Sequence, residues 1–334
     1  MIAGGNGEGK TNLLEAMGYL ATLQSFRGAP TAAMVRSGAD GAVVRAEGDR
    51  AGRRLLIEAE VKTSGRDRVF VNRQPLRRAR DLLGALRVSV FSPDDLVIVK
   101  GAPAERRRFV DDLLVALHPR NDGLLGDFER VLRQRNRLLK QAAGRLSGDV
   151  AATLDVWDTQ LATTGEQLGE ARAQLAEQLE PEVGKAYDHV ASSMGDVVVR
   201  YVRSWEGSLH DALTAARADE VRRALTLVGP QRDDIYFGLA GLPARTHASQ
   251  GEQRSLALAL RLAGHRVVSA VVEEPPVLLL DDVFSELDPE RSEALLSQLP
   301  AGQAVLTTAG VLPRSAQPAR VFRVRGGVLR EGEA

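Results

Sequence analysis

Gly4-Gly5-Asn6-Gly7-Glu8-Gly9-Lys10-Thr11-Asn12 is the stretch that decides how this chain is read. From Gly4 to Thr11 it fits G-x-x-x-x-G-K-T, in which glycines let successive backbone N–H groups wrap a phosphate chain. Lys10 reaches the terminal phosphates and Thr11 offers a hydroxyl to Mg2+. A helical stripe follows at once, Leu13, Leu14, Met17, Leu20 and Ala21, so the loop feeds a helix whose positive end favours an anion. Taken alone, the loop also fits a glycine turn before an ordinary helix, and residues further along decide between the two.

Val277-Leu278-Leu279-Leu280-Asp281-Asp282, after Pro275-Pro276, is an apolar run ending in two carboxylates. A buried strand that delivers an Asp at its C-terminal end is where a phosphate-loop ATPase holds magnesium. Asp281 is therefore expected to ligate Mg2+, directly or through water, and Asp282 to polarise the attacking water. A single Asp leaving a strand for solvent is common, but that reading fits poorly a pair in a chain that also carries the glycine loop. Between the two motifs lies Ser249-Gln250-Gly251-Glu252-Gln253, followed by the apolar helix Leu256–Ala263. A hydroxyl, free N–H groups and a helix dipole suit a γ-phosphate, although the same residues also make an ordinary N-cap.

Composition narrows the class. The 334 residues suffice for two domains or one with a large insertion, and 44% hydrophobic with 26% charged residues is the balance of a folded globular protein. Lys+Arg 44 against Asp+Glu 44 gives a net charge of +0, which excludes a polybasic binder and leaves any nucleic-acid contact to local patches. With Cys 0, disulfide scaffolds, thiol nucleophiles and cysteine metal sites are excluded. No apolar run is long enough to span a bilayer and no secretory pattern opens the chain, so a cytoplasmic location with no membrane partner is expected.

From Gly41 to Phe91 the hydrophobic period falls towards two, through Leu55–Val61, Val69-Phe70-Val71 and Val88–Phe91, with a short helix near Asp81–Leu86; this predicts antiparallel β structure. Beyond Gly101 helical stripes take over, at Phe109, Leu113 and Leu117, at Phe128, Val131 and Leu132, and at Leu154, Trp157, Leu161, Leu168 and Leu175. Breaks at His118-Pro119, Gly144 and Pro181 predict several helices, forming an arm to about Ser192. Strand signals return at Val197–Val199, Ile235–Phe237, Val277–Leu280, Ala304–Leu306 and Val321–Val324, where the chain re-enters a sheet.

Two further stretches sharpen the picture. Pro93-Asp94-Asp95, Gly101-Ala102-Pro103 and Arg106-Arg107-Arg108-Phe109-Val110-Asp111 together resemble one signature of the RecF family, and Leu280–Arg291 resembles a second. Gly229-Pro230-Gln231-Arg232-Asp233-Asp234 is similar to a third, in which the family usually has His where this chain has Gln231. The chain thus resembles an ATP-binding-cassette ATPase of the SMC type, and more narrowly RecF, over essentially its whole length.

The resemblance implies an α/β fold: an ABC-ATPase head, with a mixed β-sheet around the phosphate loop plus an antiparallel β subdomain, and an inserted helical arm. The expected division is 1–103 and 193–334 for the head and 104–192 for the arm. It also implies ATP sites shared between two subunits. Gly4, Gly5, Asn6, Gly7, Glu8, Gly9, Lys10, Thr11 and Asn12 of one would bind the nucleotide against Ser249, Gly251, Glu252, Gln253 and Asp288 of the other. Lys10 and Asp282 would be catalytic, with Mg2+ on Thr11 and Asp281. The implied function is a weak ATPase whose ATP-dependent homodimer binds double-stranded DNA near gaps and duplex/single-strand junctions. With RecR and RecO it would help load RecA in DNA repair, replication restart and the SOS response.

One departure stands out: family members normally carry strands before the loop, and here three residues precede Gly4, so the sheet is expected to lack strands and ATP binding to suffer. Arginine-rich candidates for DNA contact are Arg53-Arg54, Arg66 and Arg68, Arg73, Arg77, Arg78 and Arg80, and Arg130, Arg133, Arg135, Arg137 and Lys140. For each, a solvated face or an intrahelical ion pair is the competing reading. The histidines, His118, His189, His210, His247 and His265, lack metal-ligand spacing and read as structural or exposed. A transporter-type ATPase subunit is disfavoured by the size of the helical insertion; for a nucleotide-dead scaffold, the complete set Lys10, Ser249, Asp281 and Asp282 argues against it by chemistry and the missing strand argues for it by fold.

Overall fold

A computed structural model of the chain describes residues 1–50, 52–191, 195–272, 274–310 and 312–332. In chain order the elements are β1 (Ile2–Ala3), α1 (Lys10–Thr22), β2 (Gly41–Arg50), β3 (Arg53–Lys62), β4 (Arg68–Val71), β5 (Gln74–Pro75), β6 (Val88–Phe91), α2 (Leu96–Lys100), α3 (Pro103–Leu117), α4 (Arg120–Ala142) and α5 (Gly148–Val190). They continue with β7 (Val197–Val202), α6 (Leu209–Arg223), β8 (Asp234–Leu239), β9 (Leu242–Pro243), α7 (Ala244–His247), α8 (Gln250–Val271), β10 (Val277–Asp281), α9 (Pro289–Ser297), β11 (Ala304–Thr308), β12 (Val321–Arg325) and β13 (Val328–Gly332). Short 3-10 turns at Thr31–Met34, Ala79–Leu82, Pro93–Asp95 and Val283–Glu286 join them.

The chain divides into two compact units, Met1–Leu96 with Lys185–Met194 and Arg254–Ala334, and Val97–Gly184 with Gly195–Gln253. The second takes in 195–253, which the sequence reading assigned to the head. The expected end of the arm at Ser192 lies outside the described residues.

In the first unit a six-stranded sheet runs β13-β12-β1-β11-β10-β6. All its neighbours pair in parallel except β12 with β13. Leu278, Leu279 and Leu280 are each at most 1% exposed, as a run of continuous apolar character requires of a strand covered on both faces. The two-residue strand β1 delivers the loop. Because β1 lies between two parallel partners, Ile2 is aligned with both Thr307 and Phe322. Val88–Phe91 also departs from expectation: it pairs in parallel with β10 and does not join the antiparallel hairpins. Those hairpins form a separate sheet, β2-β3-β4-β5. Its inner face buries Ile57, Ala59, Val61 and Val69 with Tyr19 and Leu20 of α1, and α1 packs on both sheets.

The second unit is mainly helical. Its strands β7, β8 and β9 form their own antiparallel sheet, so Val197–Val199 and Ile235–Phe237 do not rejoin the main one. Breaks occur where expected at His118-Pro119 and at Gly144, where Ala143 and Gly144 both take left-handed backbone, but α5 continues through Pro181. Proline removes one helical hydrogen bond there. Leu179, Val183, Ala186, Tyr187 and Val190, all buried on either side of it, hold the helix regular.

Family-signature residues brace this unit. The Arg106 guanidinium grips Asp234 at 2.7 and 2.9 Å, and Arg107 donates to the Asp233 carbonyl at 2.6 Å. Arg172 binds Asp111 through two bonds of 2.7 Å and the Pro230 carbonyl at 2.8 Å. Burial raises the Asp111 and Asp233 carboxyls above the usual carboxylate range, against the pull of Arg172. Arg135, proposed from sequence as a DNA contact, is instead 0% exposed. It pairs with Asp158 at 2.6 Å and Glu220 at 2.7 Å, and Arg217 also reaches Asp158 at 2.7 Å.

Candidate functional site

The glycines of the loop have distinct tasks. A Cβ on Gly4 would stand 2.7 Å from the Val324 carbonyl oxygen, so the loop leaves β1 in a groove that admits no side chain. Gly7 and Gly9 take φ of 79° and 98°, the left-handed region that glycine enters without strain. Gly9 is also the N-cap of α1, with no side-chain cap and no acidic residue in the first turn, which leaves the first N–H groups and the positive helix end facing the loop. Lys10, 7% exposed, donates to the carbonyls of Gly4 and Gly5 at 2.9 Å each. Two of its three protons thus brace the loop and the third remains for a ligand. Asn6 and Asn12 are exposed.

The acid pair ends β10 one strand removed from β1, with β11 between. Thr307 of β11 aligns with both Ile2 and Asp281 and is fully buried. Asp281, 5% exposed, accepts from the Thr11 hydroxyl at 3.0 Å and from the Thr307 hydroxyl at 2.8 Å. The same Thr307 oxygen accepts the Asp282 N–H at 3.0 Å. Asp282 has φ 48° and ψ 29°, a conformation that costs a non-glycine residue about 1 kcal/mol. Thr307 and the Ser285 hydroxyl, which donates to the Asp282 carbonyl at 2.7 Å, hold it there. Loop and acid pair therefore meet outside the carboxyl ends of parallel strands, the position where open α/β sheets bind ligands.

The Thr11 hydroxyl and Asp281 carboxylate are hard oxygen donors within hydrogen-bond distance of each other. Mg2+ is usually held by one or two carboxylates together with substrate phosphates and water, which this pair suits. Among the described residues no cluster of three or more His, Cys, Asp or Glu forms an all-protein metal cage.

Ser249, Gly251, Glu252 and Gln253 belong to the other unit. The Ser249 hydroxyl accepts the Glu252 N–H at 3.3 Å while the Glu252 carboxylate accepts the Ser249 N–H at 2.7 Å, a reciprocal capping box that starts α8. Gln253 is 4% exposed and its amide donates to the carbonyls of Ala244 and Arg245 at 3.0 and 3.1 Å. Its side chain, expected to face nucleotide, therefore holds the helix start against α7. Asp288 caps α9 by accepting the Arg291 N–H at 2.9 Å.

His118, His189, His210 and His247 are exposed, whereas His265 is buried with Nδ1 3.0 Å from the Ser89 hydroxyl. Burial, with the nearby charge of Arg266, pushes its pKa down to about 4. Of the arginines proposed for DNA, Arg130 and Arg133 pair along α4 with Asp127 and Glu129, and Arg54 lies 3.5 Å from Glu47. Arg53, Arg66, Arg68, Arg73, Arg77, Arg78, Arg80, Arg137 and Lys140 are exposed. Sequence reasoning missed the bridging role of Thr307. Its signal was a hydroxyl at the C-terminal end of the next apolar strand.

Comparison with known proteins agrees with this geometry. The family described as RecF/RecN/SMC N terminal domain matches residues 1–309. A DNA replication and repair protein RecF of Streptomyces avermitilis is 46% identical over 325 residues, spanning 93% of this chain and 87% of its own length. Its namesake in Frankia alni is 45% identical over 350 residues, with 98% and 92% covered. A solved structure of the recombination mediator protein RecF with ATP, in the RecFOR pathway, superposes with a TM-score of 0.90 at 27% identity, covering 99% of this chain and 91% of that one. The Smc head domain of Pyrococcus furiosus, at 14% identity and a TM-score of 0.54, shares the fold alone.

Proposed function

The chain belongs to the RecF family of SMC-type ATP-binding-cassette ATPases, and we propose that it is an ATP-gated DNA clamp of recombinational repair and replication restart. The observation that carries this reading is the Thr11–Asp281–Thr307 cluster at 2.8 to 3.0 Å beside the Lys10 loop. A transporter-subunit role gives way to the family assignment.

In this reading Gly4 to Asn12 cradle the phosphates of ATP, and Lys10 turns its third proton to them. Thr11 and Asp281 would hold Mg2+, which would supply charge neutralisation to the phosphates. Asp282 accepts a proton from the attacking water as the water oxygen bonds to the γ-phosphorus and the bond to the ADP oxygen breaks. Its left-handed backbone, held by Thr307, sets the direction of that carboxylate.

Ser249, Gly251 and Glu252 at the start of α8, together with Asp288, act on the nucleotide of a second copy, and Gln253 supports them from behind. ATP thereby joins two copies in a two-fold dimer with both sites closed at once. The dimer grips double-stranded DNA near gaps and duplex/single-strand junctions, acts in the cytoplasm with RecR and RecO to load RecA, and reopens on slow hydrolysis. This reading takes 1–103 and 193–334 as the head and 104–192 as the arm, with 195–253 of the head lying in the compact unit that holds the arm. Among the described residues no helix is long and apolar enough to cross a membrane.

Light scattering of Ser249→Arg with Mg-ATP tests the shared site. The variant is expected to bind nucleotide and stay monomeric; a normal ATP-induced dimer would overturn the reading.

A further inference from the structure

Glu8 is an acidic residue inside a loop built for phosphate, where its charge opposes the ligand. Its carboxylate accepts a hydrogen bond from the Gly326 N–H. Gly326 and Gly327 form the two-residue turn between β12 and β13, with φ of 57° and 74° and the pair Arg325 and Val328 closing it. Both glycines left-handed is the geometry such turns require, and the first turn residue's N–H is not used by the strand ladder. Gly326 therefore carries a spare donor, and Glu8 takes it.

The rest of the loop explains why this bond matters. Its beginning is fixed by β1, which pairs with β11 and β12, and by the Gly4 N–H bond to the Thr308 carbonyl at 3.3 Å. Its end is fixed by α1. Between them Glu8 sits flanked by Gly7 and Gly9, both left-handed, and nothing lies within 4 Å of where a Cβ on either would point. Side-chain packing thus does not restrain Gly7 or Gly9, and two glycines leave this segment wide conformational freedom. The Glu8–Gly326 bond ties it to a hairpin whose first strand, β12, already pairs with β1 just before the loop.

Resting on the ATP-binding reading above, we propose that Glu8 is a positioning residue: its carboxylate fixes the tip of the phosphate loop against the β12–β13 turn so that the loop N–H groups, its own included, are set before nucleotide arrives, and the carboxylate itself does not contact nucleotide. The tether has a cost, because the carboxylate's charge disfavours an anionic ligand. Tether and charge are separable, since glutamine keeps an acceptor oxygen at the same reach without the charge.

The experiment compares wild type, Glu8→Gln and Glu8→Ala by titration with Mg-ATPγS, and follows hydrogen exchange of the segment 322–328 in nucleotide-free protein. Glu8→Gln is expected to bind at least as tightly as wild type, and Glu8→Ala about tenfold more weakly than Glu8→Gln, the effect of one good hydrogen bond. Exchange in 322–328 is expected to rise in Glu8→Ala and not in Glu8→Gln. Equal affinities and equal exchange in the two variants would overturn the positioning role. A wild type that binds no nucleotide would instead count against the ATP reading, and the exchange comparison would still decide whether the tether orders the loop.

Discussion

Replacing Thr307 by valine keeps the shape of a fully buried side chain and deletes one hydroxyl. That hydroxyl donates to Asp281 at 2.8 Å and accepts from the Asp282 N–H at 3.0 Å, so a single atom supports both members of the acid pair. Loss of a charge-assisted bond costs roughly 1.5–3 kcal/mol, and a buried N–H left unpaired roughly 1–3 kcal/mol. Because one hydroxyl serves both, we expect a combined destabilisation of about 2–4 kcal/mol. Thr307→Ser keeps the hydroxyl and should lose about 1 kcal/mol, for a single methyl. Trp157 and Trp205 both belong to the other unit, so their fluorescence does not report on this one. Hydrogen exchange of 277–281 and 304–308 against urea does. Release of Asp282 from its left-handed setting should also lower ATP turnover by roughly 10- to 100-fold, matching about 1.4–2.8 kcal/mol of barrier. A Thr307→Val protein within about 0.5 kcal/mol of wild type, or a Thr307→Ser protein as damaged as the valine variant, would refute the bridging role.

Asp282→Asn should bind ATP but not turn it over, and so accumulate an ATP-bound dimer visible by light scattering; a dimer that dissociates at the wild-type rate would contradict its role. Arg135→Met leaves the buried Glu220 without its arginine and Asp158 with Arg217 alone, and should cost roughly 3–5 kcal/mol. Tryptophan fluorescence in urea measures that loss, and adding Asp158→Asn with Glu220→Gln should recover much of it. His265 is held neutral in the fold, with its pKa lowered to about 4. Its contribution is complete above its unfolded value near 6.5 and declines as pH falls towards 4, by an amount on the order of 3 kcal/mol. Urea midpoints across that window should show the slope, and His265→Gln should flatten it.

The phosphate loop and the acid pair were legible in the sequence because each is contiguous and its chemistry lies in its own residues. Pairing partners were not. Val88–Phe91 declares a strand, but its parallel place beside β10 depends on residues almost two hundred positions away. Pro181 reads as a break by local rule, and the buried residues on both sides of it override that rule. Arg135 was readable in hindsight. Phe128, Val131, Arg135, Leu139 and Ala142 share one helical stripe and are all buried, so an arginine on that stripe demanded buried acids, and Asp158 lies on the matching stripe of α5 with Leu154 and Leu161. Ser249 shows the limit from the other side: its capping box is visible in the sequence, and an N-cap and a phosphate contact use the same residues.

In the proposed function, ATP closes a dimer that grips duplex DNA. Fluorescence anisotropy of a labelled duplex, titrated with the protein with and without Mg-ATP at two salt concentrations, tests it most directly. Binding should require ATP and weaken steeply with salt, as phosphate contacts dictate. Binding that is equal with and without nucleotide, or absent while the protein holds ATP, would contradict it.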